Sequence, residues 1–409
     1  MKNEFQTHSL TQKPHFPVRW NTVLDELVPQ FVKNRFSPQN SWKNKPFSQE
    51  DVTFFSKGLL ELSGFFTEDR EGAKLPNYFT TAKFRSSYFL YFFALQGAKF
   101  LTLFEKYPLA VEAAITHAKK TGTLRIVDVG SGPGTASIAF LIFVLEKLAN
   151  ESKTSKEKKI ILPFRVQLEW IDHNETILKD GEQMLSELFQ CLEEFEGSID
   201  LKTHARPWWK HPKDFNFNAS IVLFGNVLNE SSDDPRIYNS GLVPFLKNLD
   251  GAGVLFVEPA FKSASQRVSR IRDELMPHPI WGPCLHQEKC PLAEGRDWCH
   301  FSVPAELPGS FFKKFSIKLG SKREWLKFSF LWLAAHDHPS SNSKLVRVVS
   351  DPIRTPRGQQ NQLCTPEKIS WVNTPARPLY RGDVISPQIQ GARTKHDSIL
   401  QPKFKPRRK

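Results

Sequence analysis

Ile126-Val-Asp128-Val-Gly130-Ser131-Gly132-Pro-Gly134-Thr135 is the stretch that decides how this chain folds. An aliphatic run over residues 124–129 reads as a buried strand. It gives way to glycines at 130, 132 and 134, and a helical pattern then covers residues 135–148. Glycines let a backbone come close to a ligand, and the first turn of the following helix offers N–H groups with no partner inside the helix. Working outward, strand patterns recur at 164–171, 198–203, 219–224 and 253–257. Helical patterns at 174–195, 238–248 and 262–275 separate them. Strands alternating with helices of this length predict βαβ units and a parallel, doubly wound sheet of the α/β class.

The flanks are different. Apolar residues at helical spacing predict helices at 20–36, 51–65, 84–106 and 109–119, and strand-like segments return at 325–333 and 345–349. The chain divides into an irregular or helical N-terminal segment (1–78), a Rossmann-like domain (79–276), a Cys-rich insertion (277–310), C-terminal strands completing the sheet (311–375), and a basic tail (376–409). Residues 151–159 read as a charged surface insertion. No internal repeat is evident.

Composition bounds the possibilities. Of 409 residues 40% are apolar and 24% charged, and the 34 Phe and 10 Trp supply large side chains for a real core. No run approaches the roughly 18 apolar residues that a membrane span needs, so neither a membrane nor a secreted partner is expected. The balance of 56 Lys+Arg against 43 Asp+Glu gives +13, which favours a polyanionic partner, nucleic acid before membrane. Residues 377–409 carry nine Lys/Arg and two Asp, or +7 of that total. Their Pro, Gln and Ser content predicts a disordered basic arm suited to RNA phosphates, or more blandly a solubilising tail. Five cysteines without a secretory leader predict a reducing compartment, where clustered thiols mean metal or chemistry rather than disulfides.

Two ligands compete for the glycine loop. A dinucleotide fingerprint would place Gly or Ala where Thr135 stands, and an acid two residues before the first glycine suits a cation better than a pyrophosphate. S-adenosylmethionine (SAM), with an ammonium and a sulfonium, is such a cation, and the loop resembles motif I of class I SAM-dependent methyltransferases. The expected cofactor contacts are Asp128, Gly130, Ser131, Gly132, Gly134 and Thr135. Asp172, at the end of the next strand, would take the ribose hydroxyls, the plain alternative being a helix N-cap. Asn226 in Asn226-Val-Leu-Asn229-Glu230 would line the adenine or substrate pocket, or simply make a turn. An Asn/Asp-Pro-Pro-aromatic motif and a Pro-Cys nucleophile outside the cysteine cluster are both absent, so the catalytic residues are unknown.

Cys284, Cys290 and Cys299 stand as C-x5-C-x8-C, and Cys364 follows 65 residues later. By spacing alone these fit a four-thiolate iron–sulfur or zinc site, a Cys3His zinc site using His286 or His300, or unligated loop cysteines. Cys191 shares a helix face with Leu188, Leu192 and Phe195 and is expected to be a buried apolar residue.

Taken in order, Val-Asp-Val-Gly-Ser-Gly-Pro-Gly-Thr, Asn-Val-Leu-Asn-Glu, Phe-Val-Glu-Pro-Ala, Arg-Ile-Arg-Asp-Glu-Leu, Gly-Pro-Cys-Leu-His, Lys-Cys-Pro-Leu, Asp-Trp-Cys-His-Phe and Leu-Cys-Thr-Pro-Glu resemble the methyltransferase-like family of small-ribosomal-subunit assembly factors found in bacteria and mitochondria. The resemblance covers about residues 80 to 372, and the cysteine block is its most specific part. It implies a SAM-binding Rossmann-like domain, a [4Fe–4S] cluster on Cys284, Cys290, Cys299 and Cys364, and binding to small-subunit rRNA, with methyl transfer an open matter. Bacterial cytoplasm is the expected compartment and the mitochondrial matrix the alternative. Lys368 stands where the family usually has Gly, and the insertion after Leu148 is extra. An active SAM-dependent rRNA methyltransferase and a zinc-dependent RNA-binding protein are the competing functional readings.

Overall fold

The computed structural model describes residues 10, 13–67, 77–152, 159–192, 194–208, 218–228, 252–275, 278–305, 307, 310–320, 324–335, 345–375 and 378–386. The N-terminal segment is helical: Val18–Thr22, a π turn at Val23–Leu27 and Val28–Phe36 run on continuously, followed by α1 (Gln49–Thr67). Ala82–Ser87 and a second π turn, Tyr88–Phe92, lead into α2 (Phe93–Lys106), and α3 (Pro108–Thr121) follows. Their aromatic faces do not form a layer of their own. Trp20, Phe31, Phe89, Phe93 and Phe104 join the same buried cluster as Ile126, Phe140, Leu168 and Trp332 of the sheet domain. Removing such large rings from water is the main favourable term in holding helices and sheet together.

The sheet contains β1 (Thr123–Val129), β2 (Arg165–Asp172), β3 (Ile199–Ala205), β4 (Ile221–Gly225), β5 (Val254–Pro259), β6 (Ile280–Gly282), β7 (Phe301–Pro304) and β8 (Trp325–Leu333). Their order is β3-β2-β1-β4-β5-β8-β6, with β7 pairing one end of β8. The pairs from β3 across to β5 are parallel, whereas β8 runs antiparallel to β5, β6 and β7. The sheet is therefore mostly rather than wholly parallel. It is the class I methyltransferase arrangement, with one reversed strand inserted between β5 and β6. Because β2 and β3 lie on one side of β1 and β4 and β5 on the other, the chain reverses direction at β1/β4. The crevice beyond the C-terminal ends of those two strands is where open α/β sheets bind ligands.

The crossover helices are α4 (Thr135–Ser152), α5 (Glu175–Gln190) and α6 (Lys262–Glu274), and α7 (Ser310–Lys318) precedes β8. The helix expected over 174–195 ends at Gln190. Leu192 continues the apolar pattern, yet Phe195–Glu196 instead pairs with Ile160–Ile161 as a separate two-stranded ribbon. Cys191 is corrected with it: at the C-cap, outside the helix face, it is exposed rather than buried. The helix expected at 238–248 lies outside the described residues.

Beyond β8 the strands do not extend the main sheet. β9 (Val346–Val348), β10 (Ile353–Thr355), β11 (Gly358–Cys364), β12 (Ile369–Asn373) and β13 (Val384–Ile385) make a second antiparallel sheet over a small core of Val346, Val348, Leu363 and Val372. Only residues 325–333 complete the first sheet as expected. Part of the tail is also corrected: Val384 pairs with Arg347, and the Arg347 guanidinium donates to the Gly382 carbonyl at 2.9 Å, so residues 378–386 are built into the second sheet. Residues 387–409, which carry most of the basic arm, lie outside the described residues.

Candidate functional site

The glycine loop crosses the crevice as expected. Gly130 N–H and Ser131 N–H donate to the Ile171 carbonyl at 2.7 and 3.2 Å, which fastens the loop to the end of β2. Gly130, Gly132 and Gly134 all have positive φ. A Cβ on Gly130 would lie 2.3 Å from Val227, and one on Gly134 would lie 2.0 Å from the Trp170 ring. Trp170 is fixed in turn by its Nε1–H, which donates to Ser137 Oγ at 2.7 Å.

Two carboxylates sit under this loop. Asp128 is 1% exposed and its Oδ2 accepts the Ser137 N–H at 2.9 Å. Asp172 is 7% exposed; Oδ2 accepts the Gly132 N–H at 2.9 Å and Oδ1 the Asn174 N–H at 2.8 Å. Burial pushes Asp128 up to about 7, against the pull of the Ser137 hydrogen bonds, and the neighbouring Asp172 charge adds to the rise. Asp172 is raised as well, again chiefly by burial. The basic side chain beside it is the half-exposed His173, at 3.5 Å. Among the described residues neither carboxylate is paired with a lysine or arginine. Three other buried acids are each paired with a base: Asp180 with Arg85 and Arg35, Asp51 with Lys33, and Glu169 with Arg125. The helix N-cap weighed for Asp172 belongs instead to Asn174, whose Oδ1 accepts the Ile177 N–H at 3.0 Å.

On the β4 side, Asn226 holds a left-handed backbone (φ 57°), its N–H donates to the Val257 carbonyl, and its buried Oδ1 has no hydrogen-bond partner among the described residues. Thr135 Oγ1, at the first turn of α4, is likewise buried with no partner among them. Asn229 and Glu230 lie outside the described residues. The structure adds Glu258, fully buried at the end of β5, whose Oε1 accepts the N–H groups of Val227 and Leu228 at 3.0 and 2.9 Å and so holds the turn after β4. It lies inside Phe-Val-Glu-Pro-Ala, where a lone acid ending an aliphatic strand was the available signal. Asn77, Phe79 and Tyr88 were also missed. Asn77 Oδ1 accepts from Asn174 at 2.9 Å, and Phe79 and Tyr88 stand over Gly132. Nothing local in their sequence marks them.

Cys284, Cys290 and Cys299 line one small cavity, and Cys364 lies within electrostatic reach of it. Cys299 lies within electrostatic reach of Cys284, Cys290 and Cys364, and Cys364 within reach of Cys284 and Cys290. Burial first, and the other sulfurs after it, push the Cys290, Cys299 and Cys364 thiols up. Elements from both sheets deliver them: Cys284 just after β6, Cys290 and Cys299 in the loop before β7, and Cys364 at the end of β11. Three buried guanidiniums frame the group. Arg272 of α6 donates to Cys284 Sγ at 3.2 Å and to the His286 carbonyl at 3.0 Å, Arg347 donates to the Pro283 carbonyl at 2.6 Å, and Arg381 reaches the Trp298 carbonyl at 3.4 Å. Asp273 accepts the Cys290 N–H at 2.9 Å, and His286 Nε2 lies 3.3 Å from Cys364 Sγ. His300 instead bonds the Trp298 carbonyl through Nδ1 at 3.1 Å. Among the described residues no three or more His, Cys, Asp or Glu side chains are grouped as ligands of one metal ion.

With this geometry in hand the comparisons can be placed. Residues 170–372 match the family model described as mitochondrial small ribosomal subunit Rsm22. The Rsm22 match takes in Asp172, Asn226 and all four clustered cysteines and begins downstream of the glycine loop. The comparison with curated proteins gives no match. Among solved structures, the chain is similar to a Listeria monocytogenes protein described as a class I S-adenosylmethionine-dependent methyltransferase (10% identity, 79% of this chain and 90% of that one, TM-score 0.33). It is also similar to precorrin-6y C5,15-methyltransferase from Geobacter metallireducens (9%, 53% and 87%, 0.27) and to human N-acetylserotonin methyltransferase (16%, 51% and 50%, 0.24). The chain thus spans from about half to nine tenths of the length of these structures. The strand order and the glycine loop carry the fold by themselves.

Proposed function

We propose that this protein is a SAM-binding, iron–sulfur-bearing factor of the small ribosomal subunit, built on a methyltransferase fold and acting in the mitochondrial matrix. One observation carries the cofactor: Asp128 and Asp172 are buried under a glycine loop at the sheet's switch point with no lysine or arginine beside them among the described residues. Burying a carboxylate without a compensating partner is costly, and a ligand that brings its own positive charge removes that cost. SAM brings two such charges, on its ammonium and its sulfonium. The test is calorimetric titration of the full chain with SAM. Micromolar or tighter binding is expected, weakened at least about tenfold in Asp172→Asn, and an absence of binding heat would refute the reading.

The cluster follows from donor chemistry. Cys284, Cys290, Cys299 and Cys364 are four thiols within electrostatic reach of one another, framed by arginines that favour their anionic forms, and thiolates are the donors an iron–sulfur group takes. When bound, that group would supply a covalent clip between the two sheets, and its binding free energy becomes folding free energy. Zinc would use the same sulfurs; iron, sulfide and zinc analysis of anaerobically purified protein separates the two. The ribosomal assignment draws on the Rsm22 description and on the +13 charge, which rewards contact with rRNA phosphates. That description also favours the mitochondrial matrix over the bacterial cytoplasm. Co-purification of small-subunit rRNA, lost steeply as salt rises, is the expected result.

A second reading, an active rRNA methyltransferase, is favoured by Asn226. Its carboxamide oxygen, with no partner among the described residues, is an acceptor available to a donor on a target base. Transfer of labelled methyl from SAM to immature small subunits, abolished by Asn226→Ala while SAM still binds, would establish it.

A further inference from the structure

Gly132 differs from its two neighbours in the loop. Gly130 and Gly134 are crowded by Val227 and Trp170, whereas a Cβ on Gly132 would meet only the Phe79 ring at 3.8 Å and the Tyr88 hydroxyl at 4.0 Å, ordinary contact distances. The middle of the loop therefore lies within contact range of an aromatic wall formed by Phe79 and Tyr88, in the helical stretch before α2. The Phe79 and Tyr88 rings stand 5.2 Å apart at 73° to each other, packed edge to face.

The wall is anchored firmly. Arg85 donates to the Phe79 and Thr80 carbonyls at 2.9 and 3.1 Å and to Asp180 Oδ2 at 2.6 Å, while Asp180 is fully buried on α5. Asn77 is tied to Asn174, the residue that caps α5. Asp172 accepts the N–H of the same glycine at 2.9 Å, with Asp128 close enough to feel its charge. Gly132 is thus bordered both by aromatic rings and by a carboxylate.

We propose that Phe79 and Tyr88, which border Gly132 together with Asp172, make this site select the positively charged methyl donor over its neutral demethylated product. The inference rests on the SAM reading above and specifies the charge state that the site distinguishes. An aromatic face attracts a cation through its quadrupole, more strongly where water is excluded, and the carboxylates act in the same direction. S-adenosylhomocysteine keeps the adenosine and amino-acid groups, ammonium included, but has a neutral sulfur, so it loses the ring–sulfonium attraction and the sulfonium's share of the carboxylate attraction. A site built this way stays occupied by donor even as product accumulates, which suits a protein that holds SAM for structural ends as well as one that spends it.

The test is calorimetric titration of the full chain with SAM and with S-adenosylhomocysteine, using wild type, Phe79→Leu and Tyr88→Leu. Wild type is expected to prefer SAM by about tenfold, and each leucine variant to lose about three- to tenfold of that preference through SAM alone. Partial unfolding of a variant lowers the number of binding sites and leaves the ratio of affinities intact, so the ratio remains readable in both. Equal affinity of wild type for the two ligands, or an equal loss of both in the variants, overturns the selection while the SAM site stands. Failure of wild type to bind either ligand overturns the site and the selection together.

Discussion

Asp128 shows how much a single buried group can be asked to carry. Its counterpart in the unfolded chain titrates near 3.9, and burial lifts it to about 7 in the fold. Between those values the folded protein holds a proton that the unfolded chain has released. Stability from this group is therefore complete below about pH 4 and lost as pH rises through 7. Asp128→Asn keeps the shape and an acceptor for the Ser137 N–H without the charge. It is expected to raise the stability of ligand-free protein by on the order of 1–3 kcal/mol at pH 8 and to leave it nearly unchanged at pH 4, as thermal melts at the two values would read. Gly134 makes a second residue-scale prediction. Gly134→Ala adds a methyl 2.0 Å from Trp170 at φ 78° and is expected to cost more than about 3 kcal/mol. Gly122→Ala, at a similar φ of 74° with open space around it, costs about 1 kcal/mol. Comparable denaturant midpoints for the two would contradict the crowding argument.

At the scale of elements, periodicity was a good guide to which segments are helix and which are strand, and a poor guide to where they stop. β8 falls at 325–333 as the apolar pattern indicates. Helix α5 stops short because Phe195 leaves the helical pattern to pair with Ile160, a contact that one stretch of sequence does not contain. The same limit hid the aromatic wall: Arg85 and Asp180 are 95 positions apart, and their pairing decides where Phe79 and Tyr88 sit. The loop acids were legible because Asp128 and Asp172 each end a strand, whereas the roles of Asp172 and Asn174 as loop anchor and helix cap became separable only in three dimensions. Arg85→Met removes one of the two guanidiniums on a fully buried carboxylate and is expected to cost about 3–5 kcal/mol. Hydrogen exchange should then show faster opening over residues 77–88 than over β1. Uniform exchange across both would argue against the anchoring role.

For the molecule as a whole, thiols from the two sheets lie within electrostatic reach of one another. Cys284, Cys290 and Cys299 come from the main sheet's last connections and Cys364 from the second sheet, while Arg347 and Arg381 hold the carbonyls just before Cys284 and Cys299. Chain-length spacing pointed to the four residues but not to the guanidinium frame, which is assembled from three distant segments. Cys364→Ser is expected to abolish the iron content and brown colour of anaerobically purified protein and to lower its solubility, because a metal clip that closes long loops adds to folding stability. A soluble variant with full iron would contradict the clip.

The account turns on a positive charge entering between Asp128 and Asp172, and the pH dependence of SAM affinity tests that most directly. Asp128 and Asp172 lie at the C-terminal ends of β1 and β2, His173 stands beside Asp172, and the Tyr88 hydroxyl lies within 4.0 Å of the place a Gly132 Cβ would take. Deprotonating either acid favours a bound cation. Titrations between pH 5.5 and about 7.5 should accordingly show affinity rising with pH and levelling near the Asp128 value of about 7, with proton release on binding below it. An affinity that stays flat over that range, or falls, would contradict the account.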